Sequence, residues 1–400
     1  MPPERERTWI CSQLGAREHY AIPRALHRAG RLRELHTDLW SSGPWQACRF
    51  LGAPGRDLAG RFTPDLPSER VRAYPWPGLP LAVRTRLSPP GELCETVLRQ
   101  SQWLDREVAR RCPRSEPSVF FGYTGAFLQT AERLRFDGSL QILGQIDPAA
   151  VEEAIVAQER VRWAGWEPEG APIPDSFRRH RQAEWDAASL IVVNSNWARQ
   201  ALVKQGVPET KLRVVPLAYD APMIPPKSPS PTTRLRILWL GQVILRKGIQ
   251  YLCEAARLLF DEPVDFLIAG PIGISADAVA SAPANVRFVG PVSRSRVGEV
   301  YADADVFVIP TLSDGFAITQ LEAMAHGLPV IATPCCGEVV VSGRNGLIVP
   351  PADAPALATA ITELARNRDL LRAFSKEARL TSRKFGLDQL GANLLELLPA

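Results

Sequence analysis

Six short apolar runs in the second half of the chain are each bounded by Gly or Pro: "LRILWLG", "VDFLIAG", "VRFVG", "DVFVIP", "LPVIAT" and "GLIVP". Continuous apolar runs of this length suit strands buried on both faces, which are the strands of a parallel sheet covered by helices. The stretch between the first two runs, "GIQYLCEAARLLF", places positions 249, 252, 255, 256 and 259 on one helical face. The first half repeats the pattern. "TWICSQLGAREHYAIPRALHRAG", "SVFFGYTGAFLQTAERLRF" and "LQILGQIDPAAVEEAIVAQERVRW" each read as strand, loop and helix, and "EWDAASLIVVNSNWARQALVKQGV" as helix, strand and helix. Strands alternating with helices predict an α/β chain with parallel sheets.

The two series meet at "DAPMIPPKSPSPTTR", Asp220 to Arg234, which has Pro at 222, 225, 226, 229 and 231. Proline at this density continues neither a helix nor a central strand and makes a stiff connector. At 400 residues the chain suits two domains of about 200 residues each. The expected layout is a first domain over 1–218, a linker over 219–233 and a second domain over 234–384, both doubly wound and Rossmann-like, facing a cleft. The segment from about Thr37 to Pro90, rich in Gly, Pro and Trp, reads as an irregular insertion.

Composition narrows the function. A net charge of +4 is small for this length and gives no nucleic-acid footprint. Arg84 to Arg86 and Arg110 to Arg114 are read as solvated arginines. Seven scattered cysteines form no C-x-x-C pair, as expected for reduced thiols in a cytosolic protein. No apolar run reaches 18 residues and "MPPERERTWICSQLG" does not read as a signal peptide, so neither a spanning helix nor export is expected.

The chemistry is expected at "SDGFAITQLEAMAHGLPVIAT", Ser313 to Thr333. Open parallel sheets bind ligands beyond the carboxyl ends of their strands. Here Val306 to Pro310 reads as a strand, Thr311 to Asp314 as a loop, and Ala317 to His326 as a helix ended by Gly327 and Pro329. The first amides of that helix, Gly315 to Thr319, suit an anion such as a diphosphate. Gly315 permits close approach of the backbone to a ligand. Asp314 suits sugar hydroxyls, and Glu322 a vicinal diol such as that of a ribose. The same spacing also fits an Asp cap followed by a solvated helix Glu. A second loop, "GQVILRKG", sets Arg246 and Lys247 at the start of the second domain, where cations can face a phosphate. Without a metal, cations and amides carry the charge that develops on a departing nucleoside diphosphate. One charge-assisted hydrogen bond contributes about 1.5–3 kcal/mol.

Taken together, these residues resemble the family-4 glycosyltransferases of the two-domain GT-B fold. That family's motif, E-G-F-G-x-x-x-x-E-A-M-A-x-G-x-P-V-V, is similar to "DGFAITQLEAMAHGLPVIA" here. "GQVILRKGIQYLCEAARLL" resembles its phosphate loop, "VRFVGPVSRSRVGEVYADADVFVIPTLSDGF" its base-binding strand, and "CCGEVVVSGRNGLIVPPADAPALATAI" its later Glu-bearing loop. The likeness is strong from about residue 184 onward. It implies a retaining, metal-independent transferase using a nucleoside-diphosphate-sugar donor and a hydroxyl acceptor, which could be a small molecule, a polysaccharide or a lipid. It implies a cytoplasmic protein whose membrane contact is peripheral at most, and a last helix, about 385–400, that returns to the first domain. Carried over residue by residue, Asp314, Lys247 and Arg246 are the candidate catalytic groups. Glu322 would hold the ribose, the amides of Phe316, Ala317, Ile318 and Thr319 the sugar and diphosphate, Gly290 would lie near the base, and Gly15 near donor and acceptor. Two positions depart from the pattern: the first acid is Asp314 rather than Glu, and Gln242 stands where an Arg is usual. Gln145 and Asp147 occupy the place of a family His. His19 is read as a helix residue, His326 as a helix-end group, and "DAD" at Asp303 to Asp305 as capping acids rather than metal ligands. Alternatives of the same architecture are a sugar-nucleotide epimerase, a phosphorylase and a non-catalytic nucleotide-sugar binder.

Overall fold

Two all-parallel sheets organise the computed structural model, which describes residues 6–50, 52–113, 116–221, 224 and 234–398. The first sheet contains β1 (Trp9–Gln13), β2 (Leu32–Thr37), β3 (Val71–Ala73), β4 (Val119–Tyr123), β5 (Leu140–Gln145), β6 (Leu190–Val193) and β7 (Leu212–Val214). Their order is β3-β2-β1-β4-β5-β6-β7. The second contains β8 (Leu235–Leu240), β9 (Val264–Ala269), β10 (Val286–Gly290), β11 (Val306–Ile309), β12 (Val330–Ala332) and β13 (Gly346–Ile348), in the order β10-β9-β8-β11-β12-β13. Each of the six apolar runs of the second half is a strand. In both sheets the order reverses beside the first strand, where β1 meets β4 and β8 meets β11. The loops that leave two such neighbours diverge and open a crevice at their carboxyl ends.

The central strands are buried on both faces, as their unbroken apolar runs require: Ile237, Leu238 and Trp239 in β8 and Val306, Phe307 and Val308 in β11 have almost no exposed surface. The Ile249–Leu258 helix buries Ile249, Leu252, Ala255 and Ala256, and Leu259 follows them into the core. The Leu387–Leu395 helix leaves the second domain and packs on the Ala21–Arg28 helix of the first. There Leu387, Leu390 and Leu394 join the core around Ile22, Ala25 and Leu26.

The region from 37 to 90 is not an irregular insertion. It contains β3, paired in parallel with β2, and a helix over Pro75–Leu87. A strand of three residues carries too little pattern to be read, and Pro75, Pro77 and Pro80 disguise the helix, although proline fits a first turn without losing a hydrogen bond. Most of the Pro-rich connector, including Pro222, Pro225, Pro226, Pro229 and Pro231, lies outside the described residues.

The Ala150–Arg162 helix was expected within the first domain alone, yet one of its faces docks on the second. Ile155, with Trp163 and Trp166 just beyond the helix, packs against the core around β8. Buried Glu159 accepts hydrogen bonds from the Tyr251 hydroxyl at 2.8 Å and from Gln250 Nε2 at 3.0 Å. The Ser275 amide donates to the Trp166 carbonyl at 2.7 Å.

Leu394 is fully buried between the returning helix and the first domain. Leu394→Ala is expected to cost about 2–5 kcal/mol of stability, read as a lower thermal midpoint.

Candidate functional site

The β8–β11 crevice brings together two loops that lie far apart in sequence. After β8 the chain makes one tight turn, Leu245–Lys247, and then Gly248 starts the next helix with φ +76°. A Cβ on Gly248 would stand 1.9 Å from the Pro310 carbonyl at the end of β11, so only glycine lets the two loops meet. The Leu312 amide then donates to the Arg246 carbonyl at 2.9 Å, which ties the loops together.

Within this frame Lys247 Nζ donates to Asp314 Oδ2, and both side chains are more than four-fifths buried. Arg246 Nη1 donates to the Ser313 carbonyl at 2.8 Å and stands 3.9 Å from Asp314 Oδ1. These three candidate groups converge. Asp314 does not cap the following helix, which begins only at Thr319 and has no side-chain cap.

Of the residues between, Ala317 departs from the expected role. The Asp314 amide donates to the Cys335 carbonyl and the Ala317 amide to the Cys336 carbonyl, each at 2.9 Å. The Ala317 amide is therefore already engaged. Among the described residues no partner takes the amides of Gly315, Phe316, Ile318 or Thr319. The Phe316 side chain is buried in the core beneath β11. Gly315 permits a close approach, but of protein: a Cβ there would stand 1.8 Å from the Ile146 carbonyl of the first domain.

Glu322 is not a solvated helix residue. It is half-buried, and its Oε2 accepts from the Tyr301 hydroxyl at 2.8 Å. Burial pushes the Tyr301 phenol well above its usual range, so it stays protonated and donates. Gly290 ends β10 with φ +68°, and its carbonyl accepts from the Gly270 amide at 2.8 Å. His326 sits at the helix end, its Nδ1 2.8 Å from the Glu322 carbonyl and its ring stacked on Tyr301. Asp305 is engaged by the backbone amide of Arg236 at 3.0 Å and by its guanidinium.

The first domain faces this cluster from the ends of its own strands. Gly15 has φ +71°, and its amide donates to Asp38 Oδ1 at 2.9 Å. Asp38 is wholly buried and pairs with Arg61 at 2.6 Å. His19 is not in a helix. Glu18, His19 and Tyr20 form a run with φ between +50° and +59°, and the His19 ring meets the Arg294 guanidinium of the second domain. Three successive non-glycine residues in this region carry local strain. Gln145 and Asp147 are bound to each other and to neighbouring backbone.

Three partners of the cluster went unread in the sequence: Glu152, Ser313 and Trp197. Glu152 Oε2 accepts from Ser313 Oγ at 3.0 Å and pairs with Arg246 Nη1 at 3.3 Å. Trp197 Nε1 donates to Ser313 Oγ at 3.2 Å. Burial is the main cause that pushes the Glu152 carboxyl up to about 7, opposed by Arg246. Nothing in "PAAVEEAIV" separates Glu152 from an ordinary acid in the first turn of a helix.

Two outcomes test this geometry. Gly315→Ala drives a methyl into the Ile146 carbonyl and is expected to cost at least about 1–3 kcal/mol, seen as a lower melting temperature. The Glu152 carboxyl binds its proton more tightly folded than unfolded, where its value is near 4.5. Its ionisation therefore erodes stability as pH rises from about 4.5 to about 7, by up to about 1.4 kcal/mol per pH unit. Glu152→Gln should remove that slope in melts recorded between pH 4.5 and 8.

Residues 234–367 match the family model described as Glycosyl transferases group 1. The chain is 28% identical over 264 residues to a D-inositol 3-phosphate glycosyltransferase of Xylanimonas cellulosilytica, covering 60% of this chain and 63% of that protein. It spans 57–63% of the length of the first curated relatives it matches. Sucrose-phosphate synthase from Thermosynechococcus elongatus superposes over 98% of both chains with a TM-score of 0.66 at 17% identity. Anabaena Alr3699/HepE, solved in complex with UDP and glucose, covers 98% of this chain and 99% of its own with a TM-score of 0.59 at 15% identity. Among the described residues no helix is long and apolar enough to cross a membrane. Residues 234–367 therefore resemble the glycosyl transferases group 1 family, and the chain as a whole has the GT-B fold.

Proposed function

We propose that the chain is a glycosyltransferase that moves a sugar from a nucleoside-diphosphate donor to a hydroxyl acceptor, retaining the anomeric configuration and needing no metal. The observation that carries this reading is the meeting of Lys247, Arg246 and Asp314 at the β8–β11 crevice, inside the segment that matches the family. Lys247 and Arg246 offer positive charge to the diphosphate as its bond to the sugar breaks. Asp314 takes sugar hydroxyls, Glu322 the ribose diol, and the open amides of Gly315, Phe316, Ile318 and Thr319 share the oxygens. Because Asp314 already pairs with Lys247, an incoming donor exchanges that contact for its own.

The base is taken as uracil by analogy with Anabaena Alr3699/HepE, solved with UDP. The acceptor enters from the first domain. An open apolar groove of about 670 Å³ lined by Trp76, Leu79, Val83 and Leu87 lies there and suits an acceptor with an apolar portion. We place the protein in the cytoplasm, with membrane contact no more than peripheral.

The test is nucleotide release from a panel of UDP-, GDP-, ADP- and dTDP-sugars, with and without added acceptors and with added phosphate. Transfer to an acceptor supports the reading, while isomerised donor alone or a sugar phosphate would replace it with another reaction. Lys247→Ala and Glu322→Ala are each expected to lower turnover by about 100-fold or more with the melting temperature kept near wild type. Near-normal turnover in both would remove these residues from the site.

A further inference from the structure

The cross-cleft contact of Glu152 reaches further than a structural ion pair. The face of the Ala150–Arg162 helix that meets the second domain carries Glu152, Ile155 and Glu159, spaced so that all three point the same way. Glu159 and Ile155 fasten the helix to the β8 side of the second domain. Glu152, one end of that face, is thereby delivered to the two loops that hold the candidate site.

There the hydrogen bonds close a ring. Glu152 Oε2 takes Ser313 Oγ and Arg246 Nη1, and Arg246 Nη1 in turn takes the Ser313 carbonyl. Trp197, also from the first domain, fixes the remaining side of Ser313 Oγ. Ser313 is fully buried and immediately precedes Asp314. Any shift of Ser313 therefore moves the Asp314 backbone, and any shift of Arg246 moves the turn that carries Lys247.

We propose that Glu152 is a positioning residue of the donor site: from the opposite domain it fixes Arg246 and Ser313, and through them the placement of Asp314 and Lys247. This rests on the sugar-transfer reading above. Glu152 does not touch the donor itself. Its carboxylate pairs with Arg246 and, being negative, adds no attraction for a diphosphate. Loss of its charge should therefore spoil turnover more than nucleotide binding, because the cations remain but their aim is lost.

Protonation is the natural control on this contact. The charged groups facing Glu152 are Arg246 and Asp314 from the second domain and Asp147 from its own preceding loop. Arg246 favours the ionised form, whereas burial and the two aspartates oppose it. Glu152 consequently takes up its proton close to neutral pH, and below that Arg246 loses its charged partner.

The experiment compares wild type with Glu152→Gln and Glu152→Ala. UDP binding is measured by calorimetry, and turnover with the donor found in the panel is followed from pH 6 to 8.5. Glu152→Gln is expected to lower kcat by about tenfold or more at pH 8 with the UDP Kd within threefold of wild type, and to flatten the rise of kcat near pH 7. Hydrogen exchange at the peptide spanning residues 311–317 supplies a readout that needs no turnover, and Glu152→Ala should accelerate it. Unchanged kcat, pH profile and exchange in folded variants would overturn the proposal. So would a parallel loss of kcat, UDP affinity and melting temperature, which marks a purely structural role. If no panel donor turns over in wild type but the 311–317 exchange still responds, the sugar-transfer reading fails and the positional coupling stands.

Discussion

The guanidinium of Arg246 is held from both halves of the molecule at once, by the Ser313 carbonyl of its own domain and the Glu152 carboxylate of the other. Buried charges of this kind persist only where their partners are placed accurately, because desolvation otherwise outweighs their attraction. Much of the surrounding architecture can be understood as meeting that demand. The β8–β11 reversal sets two loops side by side, and Gly248 lets them touch. The docked face of the Ala150–Arg162 helix then brings the opposing carboxylate into range. The site is a property of the two domains together.

The same economy explains why neither acid of the motif is free. Asp314 is balanced by Lys247, and Glu322 by the Tyr301 hydroxyl. Each carboxylate is kept in place by a partner that hydrogen bonds to it and holds its rotamer. A ligand that replaces such a partner finds the geometry prepared, which limits the ordering entropy of binding.

How far the sequence discloses this depends on the scale at which each feature is encoded. The six strands of the second half were legible because every one is a dense apolar run closed by Gly or Pro. The buried face of the Ile249–Leu258 helix was legible because its apolar spacing is regular. Arg246, Lys247 and Asp314 could be brought together because the loops after neighbouring parallel strands leave the same carboxyl edge of the sheet. The rest is encoded over longer distances. β3 is three residues long and gains its identity from pairing with β2. The helix that was expected near Ala317 starts at Thr319 because the Ala317 amide is drawn to the Cys336 carbonyl, a contact absent from any local pattern. Glu152 next to Glu153 looks like an acid at a helix start until the second domain stands against it. His19 looks helical until the φ values of its turn are seen.

The return of the final helix to the first domain has a mechanical consequence. The polypeptide passes between the domains twice, once beyond β7 and once before Leu387. The two passages lie alongside one another, with the Tyr219 amide donating to the Phe385 carbonyl at 2.8 Å. Two ribbons pinned together flex about a common line and resist swivelling, much as a pair of door leaves does on one pin. Such a pairing opposes sliding of one half across the other and so helps to keep Glu152 in register with Arg246.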